Sequence, residues 1–158
     1  MINFELLSRI CKTPGTSGFE QRIRELVLQE VAELADEVST DAMGNVIAIK
    51  RGQSDQRVMV AAHMDEIGFI VTHIDDDGFI RFSTLGGFDP KTLTAQRVIV
   101  NGSEDIIGVM GCRPIHMMKP DERSKAYPLE DYFIDTGMPR DEVVKIVGLG
   151  DPSPANAS

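Results

Sequence analysis

The sequence predicts an α/β chain in two parts: the opening of an α/β sheet, then a small β-rich module. Three observations carry this prediction. Apolar residues recur twice at helical spacing near the start. A continuous apolar run, Val58-Met59-Val60-Ala61-Ala62, comes next, the texture of a strand covered on both faces. Beyond about Val71 the pattern changes to short strands divided by glycine-rich turns, which suggests a small barrel. The expected division is therefore 1–70, 71–152 and a polar tail at 153–158.

The first helix is expected from about Asn3 to Lys12, where Phe4, Leu7 and Ile10 share one face. Thr13-Pro14-Gly15-Thr16-Ser17-Gly18 is turn chemistry and ends it. Ser17 and Glu20 fit a capping box, S-x-x-E, ahead of a second helix. Its apolar stripe is Ile23, Leu26, Val27, Val31 and Leu34, and Arg22, Glu25, Gln29 and Glu33 lie on the wet face. Asp41 to Asn45 reads as a turn, Val46 to Ile49 as a strand, and Arg51 to Gln56 as a polar loop. The apolar run at 58–62 is expected to be a central strand with His63 at its end.

Ile67 to Ile74 and Phe79 to Ser83 read as a hairpin about Asp75-Asp76-Asp77-Gly78. Further strands are expected at Arg97 to Val100 and Ile106 to Met110. Short helices are expected at Pro120 to Ala126 and Asp141 to Ile146.

Composition narrows the function. A net charge of −9 without a basic stripe argues against nucleic acid, whose binding is driven by phosphate attraction. No run approaches the roughly 20 apolar residues of a membrane span, and Met1-Ile2-Asn3-Phe4-Glu5 lacks the basic start of a secretory leader. Cys11 and Cys112 belong to no Cys-x-x-Cys pair. Two buried free thiols in a reducing cytoplasm are the expectation.

His63 and Asp65 form an H-x-D pair after the apolar run. Residues two apart in a strand point the same way. One could bind a metal while the other orients its imidazole. For this tripeptide alone, a hydrogen-bonded turn is the simpler reading. Glu66 could be a ligand or a base, but a surface glutamate is the commoner case. His73, in an apolar strand, is expected to be packed and hydrogen-bonded. His116 lies between Ile115 and Met117-Met118, where filling an irregular core or interface is preferred over soft-metal binding. The Asp75–Asp77 run is expected to be a solvated hairpin rather than a calcium loop.

Longer strings change these odds. Thr13-Pro14-Gly15-Thr16-Ser17-Gly18-Phe19-Glu20, Asp41-Ala42-Met43-Gly44-Asn45-Val46-Ile47-Ala48 and Ala61-Ala62-His63-Met64-Asp65-Glu66-Ile67-Gly68 occur in order. They are followed by Gly86-Gly87-Phe88-Asp89-Pro90, Gln96-Arg97-Val98, Gly108-Val109-Met110-Gly111 and Asp131-Tyr132-Phe133-Ile134-Asp135. From about Leu6 to Pro152 the chain resembles the deblocking and glutamyl aminopeptidases, including the tetrahedral aminopeptidases, some of which carry endoglucanase labels.

The resemblance implies a zinc-exopeptidase-type α/β catalytic domain with a small β-barrel inserted for oligomer assembly. It implies two divalent metals, zinc or cobalt, and peptide substrates cut at their N-termini. His63 falls on the family's first metal ligand and Asp65 on the acid that orients it. The bridging aspartate, the general-base glutamate and the other ligands lie downstream of the inserted domain in relatives. The resemblance therefore implies a metallo-aminopeptidase in family terms and a homo-oligomer, while the free thiols and the lack of a secretory start give a cytoplasmic expectation. This chain is expected to be inactive alone, with at most weak single-site metal binding. The alternative is a non-catalytic truncated module that serves assembly or binding.

Overall fold

The computed structural model describes residues 2–118, 127–148 and 156–157. They fall into two compact units, 1–66 and 67–158.

The first unit opens with α1 (Phe4–Lys12). The Asn3 side chain caps it, accepting from the amides of Glu5 and Leu6 at 3.1 Å. Glu5 in its first turn and Arg9 and Lys12 in its last complement the helix dipole. The helix buries none of its residues, and Phe4, Leu7 and Ile10 are exposed. Cys11 is exposed with them, which corrects the expectation of two buried thiols. Cys112 is half-buried, and both are free.

Helix α2 (Gln21–Val31) buries Ile23 and Leu26. It ends before Leu34, which is exposed. Arg9 reaches Glu30 at 2.6 Å and links the two helices. An antiparallel hairpin follows, β1 (Glu37–Thr40) and β2 (Val46–Ile49). Its turn is organised by Asp41, which accepts from the Met43 and Asn45 amides and from the Asn45 side chain. Arg24 of α2 donates to the Gly44 carbonyl at 2.8 Å, fastening this turn to the helix.

The apolar run at 58–62 is not a strand. Val58, Met59 and Val60 are 90%, 88% and 92% exposed. A strand is sustained by its hydrogen-bond ladder, and no described residues pair with this run. The apolar texture records a demand for cover. It does not supply the neighbour that would provide it.

The second unit is a curled antiparallel sheet. Its strands are β3 (Gly68–Ile74), β4 (Ile80–Leu85), β5 (Arg97–Asn101), β6 (Asp105–Gly111), β7 (Phe133–Asp135) and β8 (Asn156–Ala157). The order β3-β4-β7-β6-β5-β8 closes into a barrel. The hairpin at Asp75 forms as expected, with Asp75 Oδ1 accepting from Phe79 N and Gly78 at φ 90°. Burial alternates along β5 and β6, so Val100 and Met110 face inward while Ile99, Ile107 and Val109 face out.

Phe69, Ile74, Ile80 and Ile134 join Val100 and Met110 in one core. Helix α3 (Arg140–Val147) adds Val143 and Val147 to it. This helix stops at Gly148, φ 71°, the left-handed residue common at helix C-termini. Gly108 sits where any Cβ would run into Ile134. The short helix expected at Pro120 to Ala126 lies outside the described residues. The mixed α/β reading stands.

Candidate metal site

The site is built where two distant segments of the first unit meet. One is the turn ahead of α2, and the other is residues 63–66. The Glu66 amide donates to the Gly15 carbonyl at 2.8 Å, and the Gly15 amide donates to Glu66 Oε1 at 3.3 Å. Thr16 and Glu66 form a parallel bridge. Gly15 also lies on α2: a Cβ there would come within 2.6 Å of Ile23 Cγ2. The absence of a side chain at Gly15 thus lets the turn sit on the helix and still clip the 63–66 segment.

His63 Nδ1 is 2.9 Å from Asp65 Oδ1 and 2.9 Å from the Asp65 carbonyl oxygen. A carbonyl can only accept, so Nδ1 carries the proton and donates. In the neutral ring Nε2 then keeps its lone pair. The His63 side chain is 85% exposed, so that lone pair is open to a ligand. Asp65 uses its second oxygen as well: Ser17 Oγ donates to Oδ2 at 2.5 Å. The Ser17 hydroxyl first, and the His63 ring second, hold the Asp65 carboxyl below its usual range. Asp65 stays an acceptor on both oxygens, which keeps the imidazole in one tautomer.

Ser17 is the residue that sequence reasoning misplaced. It makes no capping box. The α2 N-cap is Glu20, without a side-chain cap bond. Ser17 sits inside a turn closed by Phe19 N to Thr16 O at 2.8 Å, with Gly18 at φ 88°. That turn keeps Ser17 from the first helical amides and leaves its hydroxyl to Asp65. Glu20 instead accepts from Gly18 N at 2.6 Å. No local signal joins Ser17 to a carboxylate 48 residues away.

Of the other candidates, Glu66 belongs to this junction, and His73, His116 and Asp75 belong to the second unit. Glu66 is exposed and holds Gly15. His73 is exposed beside a bulge in β3 rather than packed, because the strand turns that face to solvent. His116 is exposed in a short 3-10 turn, and the adjacent Met117 is 64% exposed, so this pair fills no core. Asp75 pairs with Arg81 at 3.2 Å.

His63 fits a metal as one neutral imidazole ligand with a carboxylate behind it. Among the described residues, no three His, Cys, Asp or Glu side chains are grouped to hold an ion.

Comparison with known proteins places the chain in a family. The family described as M42 glutamyl aminopeptidase matches residues 44–156. The lysyl aminopeptidase of Pyrococcus furiosus is 38% identical over 152 residues, 94% of this chain and 44% of that protein. The crystal structure of a TET aminopeptidase from a marine-sediment thaumarchaeon superposes with a TM-score of 0.86 at 34% identity. That match covers 98% of this chain and 43% of the other. A TET peptidase of Pyrococcus horikoshii, described as assembling into a tetrahedron or a large octahedral shell, matches with a TM-score of 0.79 at 34% identity. It covers 98% of this chain and 45% of that one. The chain thus spans less than half the length of these relatives.

Proposed function

The chain belongs to the M42 glutamyl aminopeptidase family, and we propose that it supplies the first histidine ligand and its orienting carboxylate to a metal-dependent aminopeptidase. The observation that carries this reading is the His63 ring: Nδ1 committed to Asp65, Nε2 exposed. The substrate class is peptides with a free N-terminus, and the metals are a pair of divalent ions, zinc or cobalt. When bound, such ions supply Lewis acidity and an activated water. His63 contributes one neutral donor. Asp65 keeps the Nδ1 proton in place and turns the ring so that Nε2 faces outward. Both residues act as holders, and neither is assigned the base that takes a proton from water.

A catalytic zinc needs about three protein ligands, and His63 is one. The 158-residue chain alone is therefore expected to bind zinc or cobalt weakly and to turn over no substrate. Calorimetric titration with each metal should show one weak event that His63→Ala abolishes. Binding unchanged in His63→Ala would overturn the ligand assignment. Incubation with metal and a set of aminoacyl chromogenic substrates should give no release. Metal-dependent turnover lost in His63→Ala would overturn the inactivity.

A second reading concerns residues 67–158, as an inserted barrel that serves homo-oligomer assembly. It is favoured by the outer face of β5 and β6. There Ile99 pairs with Ile107 in register, and Arg97 with Val109. Ile99, Ile107 and Val109 are 39%, 64% and 42% exposed. Apolar side chains clustered on an outer sheet face mark a contact surface.

A further inference from the structure

We infer that Ser17 is a positioning residue for the metal site, acting on His63 through Asp65. The inference deepens the proposed function, since its consequence rests on His63 being a metal ligand.

The geometry is a three-member relay. Ser17 Oγ donates to Asp65 Oδ2 at 2.5 Å, and Asp65 Oδ1 accepts from His63 Nδ1 at 2.9 Å. Asp65 has two rotatable side-chain bonds and sits on irregular backbone. One hydrogen bond to a ring that is itself exposed cannot fix both. The Ser17 hydroxyl supplies the second point of attachment, on the oxygen turned away from the histidine. Two contacts on opposite oxygens define the carboxylate plane, and that plane sets where the ring lies.

Ser17 is itself held from both sides. Gly15, two residues before it, is clipped to Glu66, one residue after Asp65, by two hydrogen bonds. Phe19, two residues after it, closes the turn onto Thr16. The serine is thus brought to Asp65 by backbone that is hydrogen-bonded on both sides of it. Its hydroxyl must donate here, because a carboxylate only accepts. Loss of partners behind a metal-bound histidine typically weakens metal affinity by about 10–100-fold. Ser17 stands one bond further out, so roughly tenfold is expected.

The test uses the full 158-residue chain and reads the His63 imidazole by nitrogen-15 NMR, which reports the tautomer without any metal. The His63 signal is identified by its disappearance in His63→Ala. The unmodified chain should show the Nδ1–H tautomer. Ser17→Ala should shift the ring partway toward the Nε2–H form, the Asp65 carbonyl still accepting from Nδ1, and Ser17→Thr, which keeps the hydroxyl, should restore the original. In an Asp65→Ala background, Ser17→Ala should change nothing further. A zinc titration followed at the same ring should show the roughly tenfold weakening in Ser17→Ala. If the tautomer is unchanged in Ser17→Ala while the remaining amide spectrum stays dispersed, the relay is overturned. An equal effect of Ser17→Ala with and without Asp65 overturns it too. If Ser17→Ala disturbs the whole spectrum, the Ser17→Thr chain decides: the native tautomer upholds the relay, and a lost one overturns it. Should zinc fail to perturb His63 in the unmodified chain, the ligand assignment falls. A tautomer shift on Ser17→Ala would still uphold the relay.

Discussion

The two units solve the burial problem differently. In residues 67–158 the strands pair into a closed ring, and ten buried side chains form one cluster among the described residues. Among the described residues of the first unit, only Ile23 and Leu26 of the apolar side chains are buried, while Phe4, Leu7, Ile10, Ile47, Ile49 and Val60 are exposed. Both units carry regular apolar patterning. The difference teaches that patterning records which face needs cover, whereas a core requires the covering element as well. The second unit contains its own cover in the opposite wall of the barrel and in α3. The candidate metal site lies in the less covered unit, where polar contacts rather than packing hold the geometry.

Core truncation should separate the units most sharply. Ile80 is 0% exposed in the barrel core, and Val60 is 92% exposed in the first unit. Ile80→Ala should cost about 2–5 kcal/mol, lost burial plus the cavity left behind. Val60→Ala should change stability by less than about 0.5 kcal/mol. Denaturant unfolding of both variants checks this, and comparable costs at the two positions would break the comparison.

Association should be the next largest effect. Val58, Met59 and Val60 form an exposed apolar run, and such surface drives association. The purified chain is expected to self-associate. Replacing the run by Val58→Ser, Met59→Thr and Val60→Ser should reduce the weight-average mass in sedimentation. Ile107→Lys makes the same test on the barrel face. A clean monomer for the unmodified chain would show that neither face is sticky.

The smallest expected effect is in the β1–β2 hairpin. The Asn45 side chain first, then the Asn45 and Met43 amides, hold the Asp41 carboxyl below its ordinary range. The sign follows from which state binds the proton more weakly. A carboxyl depressed in the folded state contributes stability that is fully present above the unfolded value of about 3.9. That contribution is lost as pH falls through the lower folded value. The amide signals of Met43 and Asn45 should therefore move toward disordered positions in acid, at a pH below the unfolded carboxylate range. Asp41→Asn should flatten that dependence. A hairpin whose shifts do not respond down to strong acid would remove Asp41 from its support.

Much of the fold was legible in local pattern. The position of α1, the stripe of α2 up to Val31, the Asp75–Gly78 hairpin and the positions of β5 and β6 are all short-range features, and each appears where local pattern puts it. Strand β1 escaped because Glu37-Val38-Ser39-Thr40 has a single strong apolar residue, and all four positions are exposed. Strand β7 escaped because three residues, Phe133–Asp135, show too little period to read. The run at 58–62 was overread for the opposite reason, a strong apolar signal without a ladder to join.

What the sequence determined by itself is the alternation of helix, turn and strand, and the nearness of His63 to Asp65, since two residues on one short segment cannot be far apart. What only the tertiary structure decided is which oxygen of Asp65 meets which partner. Ser17 lies 48 positions earlier, and its local context reads equally well as a helix cap. The turn at 16–19 keeps Ser17 from the cap, and the 63–66 segment is brought beside it by Gly15. Lacking a Cβ, it packs on Ile23 and hydrogen-bonds Glu66 at once. Contacts of that kind depend on two distant backbones arriving at the same place, and no period in a sequence carries that information.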